Sequence, residues 1–446
     1  MGLQHRARSW RAFGLAVVLT SCLASVSAAF GQADYDQPPI NYTKATLADP
    51  VARLQRRLDA GNATLARDAE FGYLRAVLAA LDVPVSSQAL VFSKTSFQRT
   101  AIGPKNPRAI YFDDETYVGY VQDGDVLEVA TTDPGVGSVF YTLDQREKAG
   151  RPRFGREGDN CLQCHAGSAT RDVPGLLLRS VYPDPRGNPI LSAGTKLTTH
   201  ASPFDERFGG WYVTGRHGGY DAQHHRGNLI GRGRDDPAPS DPRAGADVTD
   251  LARLFDTSAY PASHSDLVAL TVLSHQAEAH NLITRANYAC KLALRDARVL
   301  NEALGRPADE LTDGTRRRIE APAEVLVQYL LFCDEAPLAA PISGSGPFAG
   351  EFAARGPRDK KGRSLREFDL ATRTFRYPLS YLIYSAGFDG LHDLTKAYVY
   401  GRLYDVLTGK ATDEAFARLS ADDRRAIFEI LADTKADLPA YWRAGK

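Results

Sequence analysis

Apolar residues recur at helical spacing twice near the start of the chain. Val51, Leu54 and Leu58 follow Pro50, and Phe71, Leu74, Val77, Leu78 and Leu81 follow them, so the span from Thr46 to Leu81 predicts two amphipathic helices. From about Leu90 to Leu143 the pattern shortens to alternating runs rich in Val, Tyr, Phe and Thr. Asp123-Gly124 and Pro134-Gly135 punctuate these runs as turns, which predicts a β-meander. Residues 150–245 are dense in Gly, Pro, Arg and His with little periodicity, the signature of a loop-rich segment wrapped around a bound group. Arg232–Ala246 reads as a linker. From Ser265 the pattern is helical almost to the end, interrupted by the Gly/Pro stretch Pro341–Pro357 and the basic run Arg358–Arg366. The expected class is α+β. Its regions are a leader (1–33), a mixed helix and β-meander part (34–149), a loop-rich part (150–246) and a helical part (247–446).

Composition narrows the class of function. The 446 residues are 43% apolar and 24% charged, with 54 basic against 54 acidic side chains, which excludes a disordered chain, a fibre or a nucleic-acid coat. Arg6, Arg8 and Arg11 precede an apolar run and then small residues around Ser25–Ala29, the order of an export signal. Leu19-Thr20-Ser21-Cys22 also fits a lipoprotein cleavage site, so a lipid anchor at Cys22 is the alternative fate of this leader. Its removal takes three arginines and no acid, leaving 51 basic against 54 acidic residues and no reason to expect a polyanion partner. No later run approaches the roughly 18 apolar residues of a membrane span. The expectation is a periplasmic or extracellular protein.

The chemistry is carried by Cys161-Leu162-Gln163-Cys164-His165, a C-x-x-C-H sequence. Two thiols at this spacing can bond to the two vinyl-derived carbons of one porphyrin, and the adjacent imidazole then stands beneath the iron as its proximal ligand. With 5 Cys and 10 His in the chain, chance yields the motif roughly 0.001 times. A zinc site would need a second pair of ligands, and Cys290 and Cys333 each stand alone.

On Cys161, Cys164 and His165 the chain resembles a c-type cytochrome. The stretches Phe208–Gly215 and Tyr377–Tyr384 are similar to segments of large secreted monohaem proteins. The resemblance implies one covalent haem c and electron transfer with a redox partner protein or a small-molecule oxidant. It departs from the small cytochromes in one respect. The single methionine is Met1, so the His/Met pairing that raises a haem potential is not available, leaving His/His, His with an unusual ligand, or an open sixth position.

Treated as one helix from Asp266 to Leu292, the chain places His275 in a stripe with Val268, Val272, Ala279, Ile283, Ala286 and Cys290. His275 is the provisional distal ligand. His200 and His217, which flank the aromatic run Phe208–Gly215, compete with it, as does an open position, and a histidine on an apolar stripe is otherwise a core residue. Trp211, Tyr212 and Phe208 are candidates for the porphyrin edge, and Arg171, Arg179 and Arg216 for the haem propionates. Cys290 and Cys333, both in apolar stretches, read equally as a disulfide or as two free thiols. Electron carriage is the first functional expectation; a peroxidase-like oxidoreductase or a small-ligand sensor are the alternatives.

Overall fold

The computed structural model describes residues 34–146 and 151–443. The expected leader and Cys22 lie outside them. Asp49 caps α1 (Pro50–Asp59) by accepting from Ala52 N, with Pro50 at the first helical position, and α2 (Leu74–Ala80) follows. The meander then runs β1 (Ala89–Val91), β2 (Arg108–Phe112), β3 (Thr116–Tyr120), β4 (Val126–Asp133) and β5 (Gly137–Asp144), each antiparallel to the last. β6 (Phe154–Glu157) extends one edge, and the short strand Trp211–Tyr212 pairs with β1 at the other, completing seven strands. The class is α+β, as the periodicities suggest.

Register sorts the sheet into two faces. Gly119 stands opposite Ile110 and Glu128, Tyr117 opposite Ala130, and Ala130 opposite Phe140. Because side chains alternate along a strand, Arg108, Ile110, Tyr117, Gly119, Glu128, Ala130 and Phe140 share one face. The other face meets the N-terminal helices, where the Tyr141 hydroxyl donates to Asp49 at 2.7 Å.

Beyond the short α3 (Asp159–His165), the loop-rich part threads back to α4 (Leu267–Ala303), a helix of 37 residues. Asp266 caps α4, accepting from Val268 N and Ala269 N, and its second oxygen accepts from Gly346 N. α5 (Asp313–Leu330) packs along α4; α6 (Phe348–Ala354), α7 (Ala386–Asp389), α8 (Asp393–Leu407) and α9 (Ala421–Thr434) complete the helical half. One hydrophobic core runs from Ile40 to Trp442 through all three expected regions.

The one-sided stripe expected on α4 is replaced by burial all round. Every residue from Ser265 to Thr284 is buried, because the helix crosses the end of the sheet at the β2–β3 and β4–β5 turns and its polar residues find partners there. Gln276 Nε2 donates to Asp113 O, His280 Nε2 to Asp114 O, and Tyr288 Oη to Val136 O. Cys290 and Cys333 are both free thiols. No helix of the described residues is long and apolar enough to cross a membrane.

Asp113, in the β2–β3 turn, gives a pH test of this packing. Burial pushes its carboxyl up to about 7, although Glu115 N and Thr116 N donate to it. Between the ordinary carboxylate value of about 4 and that raised value, the folded state holds a proton that the unfolded chain has released. The stability from protonated Asp113 is therefore complete below about pH 4 and declines as pH rises towards 7. Asp113→Asn keeps an acceptor for both amides and removes the titration. In urea denaturation the stability of D113N relative to the parent should rise between pH 4 and pH 8; an equal difference at both pH values counts against this account.

Candidate functional site

The C-x-x-C-H sequence forms α3, with Cys161 half-buried, Cys164 exposed and Leu162 packed into the core. Cys161 and Cys164 are three residues apart on one helix, so both can present to one side. Burial pushes the Cys161 thiol up to about 11, with Glu157 and Glu128 acting in the same direction, so it is protonated at neutral pH.

His165 closes the helix and is held by the loop that follows it, which α4 in turn fixes. Its Nδ1 donates to Gly175 O at 2.8 Å, and Gly175 N donates back to His165 O at 2.7 Å. The neighbouring Leu176 is clamped through both of its peptide groups by the Asn281 amide of α4, at 2.8 Å to N and 2.9 Å from O. Gly175 has to be glycine, since a Cβ there would come within 2.3 Å of Asn281 Oδ1. The Nδ1 bond fixes the tautomer in which Nε2 carries a lone pair, the form in which a metal-ligating histidine is usually held by a backbone carbonyl. Burial pushes the imidazole below its ordinary value, with the Arg108 and Arg179 charges adding to the effect. The ring lies against Phe140, centroids 4.9 Å apart.

Cys161, Cys164 and His165 open onto a cavity of about 670 Å³, within the size range of small-molecule and cofactor sites. Its walls are the shared sheet face, Leu176–Arg179, Trp211, and Leu273 and Ala277 of α4. Lys94, Arg99, Arg108 and Arg179 give one side a positive character, and Phe97, 63% exposed, stands at the rim. Arg108 reaches across Gly119 to Glu128 at 2.6 Å; a Cβ on Gly119 would meet its Nη2 at 2.3 Å. Arg108 Nε and Ser96 Oγ are shielded from solvent and have no hydrogen-bond partner among the described residues. Buried donors left in this way are costly unless a bound group satisfies them.

No family model, curated protein or solved structure matches this chain.

The residues present fit a haem c by four observations: paired thiols on one helix, an imidazole held through Nδ1, a cavity of mixed apolar and basic lining against them, and unpartnered donors beside arginines suited to carboxylates. Of the arginines expected near propionates, Arg179 lines the cavity; Arg171 instead pairs with Glu278 at 2.8 Å and Arg216 is exposed on the strand Gly215–Arg216. Trp211 lines the cavity, its indole donating to Arg179 O, whereas Tyr212 donates to Pro104 O and Phe208 is buried in the core.

The expected distal ligand is not brought to this site. His275, 1% exposed, does not line the cavity, and both of its ring nitrogens are engaged, Nδ1 with His200 Nδ1 at 2.8 Å and Nε2 with Ser380 Oγ at 2.7 Å. His200 continues the chain to Asp334 at 2.8 Å, and both imidazoles stack on Tyr329. His217 bonds Gln223 O and Asp247 N. The stripe correctly indicated that His275 is buried, but periodicity does not say which neighbour a buried imidazole faces. No group of three or more His, Cys, Asp or Glu side chains is arranged to hold a metal ion among the described residues. Sequence reasoning missed Arg108, Ser96, Tyr117, Gly175 and Asn281. The alternation Arg108-x-Ile110, Tyr117-x-Gly119 and Glu128-x-Ala130 was the available signal for the sheet wall.

Asn281→Ala should leave both peptide groups of Leu176 unpartnered, at about 2–4 kcal/mol in total. Urea denaturation measures the loss, and ¹⁵N NMR of the apo-protein's His165 ring should show its single Nδ1–H tautomer giving way to a mixture. An unchanged ring spectrum would show that α4 does not aim this imidazole.

Proposed function

We propose that the chain is an exported monohaem c-type cytochrome, with one haem c tethered to Cys161 and Cys164 and His165 as the proximal ligand. The observation that carries this reading is the Nδ1 bond from His165 to Gly175, which leaves Nε2 free beside a cavity that the two thiols also reach. When bound, the haem supplies one-electron redox chemistry. The protein's own contribution is to hold the imidazole, exclude water with the sheet wall and Leu273, and offer Arg108, Arg179 and Ser96 to carboxylates. The exposed Cys164 and Phe97 at the rim leave an edge of the cavity accessible to a redox partner protein or a small-molecule oxidant. The site of action proposed is the periplasm or the extracellular space.

A second reading, a haem oxidoreductase or small-ligand-binding protein, is favoured by one specific observation. No histidine other than His165 lines the cavity among the described residues, and the chain's single methionine is Met1. An iron held on one side only has a position for an exogenous ligand.

Haem staining of the exported protein on a denaturing gel tests the first statement. The band should stain in the parent and be lost in C161A/C164A; a blank parent lane removes the reading. Optical and EPR spectra separate carrier from ligand binder. A high-spin ferric form whose reduced state takes up carbon monoxide supports the second reading, and a low-spin form indifferent to carbon monoxide supports carriage alone.

A further inference from the structure

Tyr117 and Phe140 lie on one cross-strand row, with Ala130 between them. Two strand spacings separate them, roughly 9–10 Å. His165 rests on Phe140, so Tyr117 occupies the opposite end of the row from the imidazole, and both line the cavity. The phenol ring is fixed by Phe112, stacked at 6.3 Å, and by the edge of His280 at 6.2 Å.

The polar end of Tyr117 is fixed by Gln276 of α4. The amide Nε2 donates one hydrogen to Asp113 O at 2.6 Å and the other to Tyr117 Oη at 2.7 Å, and Oε1 accepts from the Tyr381 hydroxyl. The amide cannot be reversed, because Oε1 would then face the Asp113 carbonyl and two acceptors would meet. Tyr117 Oη therefore receives a hydrogen, and its own O–H has no acceptor among the described residues. Tyr117 lines the cavity, and a nearly buried hydroxyl with its proton unused is unusual in a folded protein, where such donors find partners.

We propose that Tyr117, oriented by Gln276, is the hydrogen-bond donor for a small acceptor ligand, an anion or oxygen species of two or three atoms, taken up in the cavity opposite His165. This inference rests on the haem reading, which supplies the position such a ligand would occupy. Tyr117 is a binding residue here and Gln276 a positioning residue. Gln276→Glu tests the second role separately, since a protonated carboxyl there spends its one hydrogen on Asp113 O and accepts from Tyr117 where the amide donates, drawing the Tyr117 proton away from the cavity.

The experiment is ligand titration of the purified ferric holoprotein with azide and with fluoride, followed optically, and of the ferrous form with carbon monoxide. Y117F should retain its covalent haem and its melting temperature. Its affinity for azide and fluoride should fall roughly five- to tenfold, the effect of one lost hydrogen bond, while carbon monoxide, a weak acceptor, changes by less than about twofold. Q276E should reproduce the azide and fluoride losses with the phenol still present. Unchanged azide and fluoride affinity in Y117F overturns the assignment, as does a haem-loaded parent that takes up neither anion. A parent chain without covalent haem instead removes the underlying reading, and this inference falls with it.

Discussion

A helix buried on every side must find a partner for each polar side chain it carries, and α4 meets that requirement by holding other parts of the chain. An unsatisfied buried amide costs as much as a well-made core contact contributes, so Gln276, Glu278, His280 and Asn281 are each bound to a particular segment. Gln276 and His280 hold the β2–β3 turn, Glu278 holds Arg171, and Asn281 holds Leu176. The polar groups that would destabilise an isolated helix here locate the loop-rich segment against the sheet. His165 inherits its orientation from this arrangement through Gly175.

The same helix closes the cavity. Leu273 and Ala277 supply its apolar floor, while Gln276, next to Ala277 in sequence, turns to Tyr117. The cavity therefore lies between two rigid elements, a sheet and a helix, with Leu176–Arg179 as a further wall. That arrangement suits a site in which geometry has to be held and access kept.

What could be read from the sequence was what is local. Val51, Leu54 and Leu58, or the alternation through β2 to β5, are set by neighbours a few positions away, and C-x-x-C-H carries its spacing within five residues. Asn281 and Gly175 could not be paired in advance, because 106 positions separate them and neither belongs to a recognisable pattern. His275 shows the limit of periodicity most clearly. Its burial followed from the helical stripe, but its partners His200 and Ser380 come from segments whose approach depends on the whole fold. Tyr117 looked like an ordinary strand residue until the register placed it in line with Phe140.

The bond network around Asn281 also fixes an order of events. The two thiols and the imidazole occur in the first 165 residues, yet the amide that immobilises their loop belongs to a helix synthesised more than a hundred residues later. Contacts of such sequence separation form late. The thiols are thus reachable on a still-open chain, and the imidazole acquires its final aim only when α4 docks.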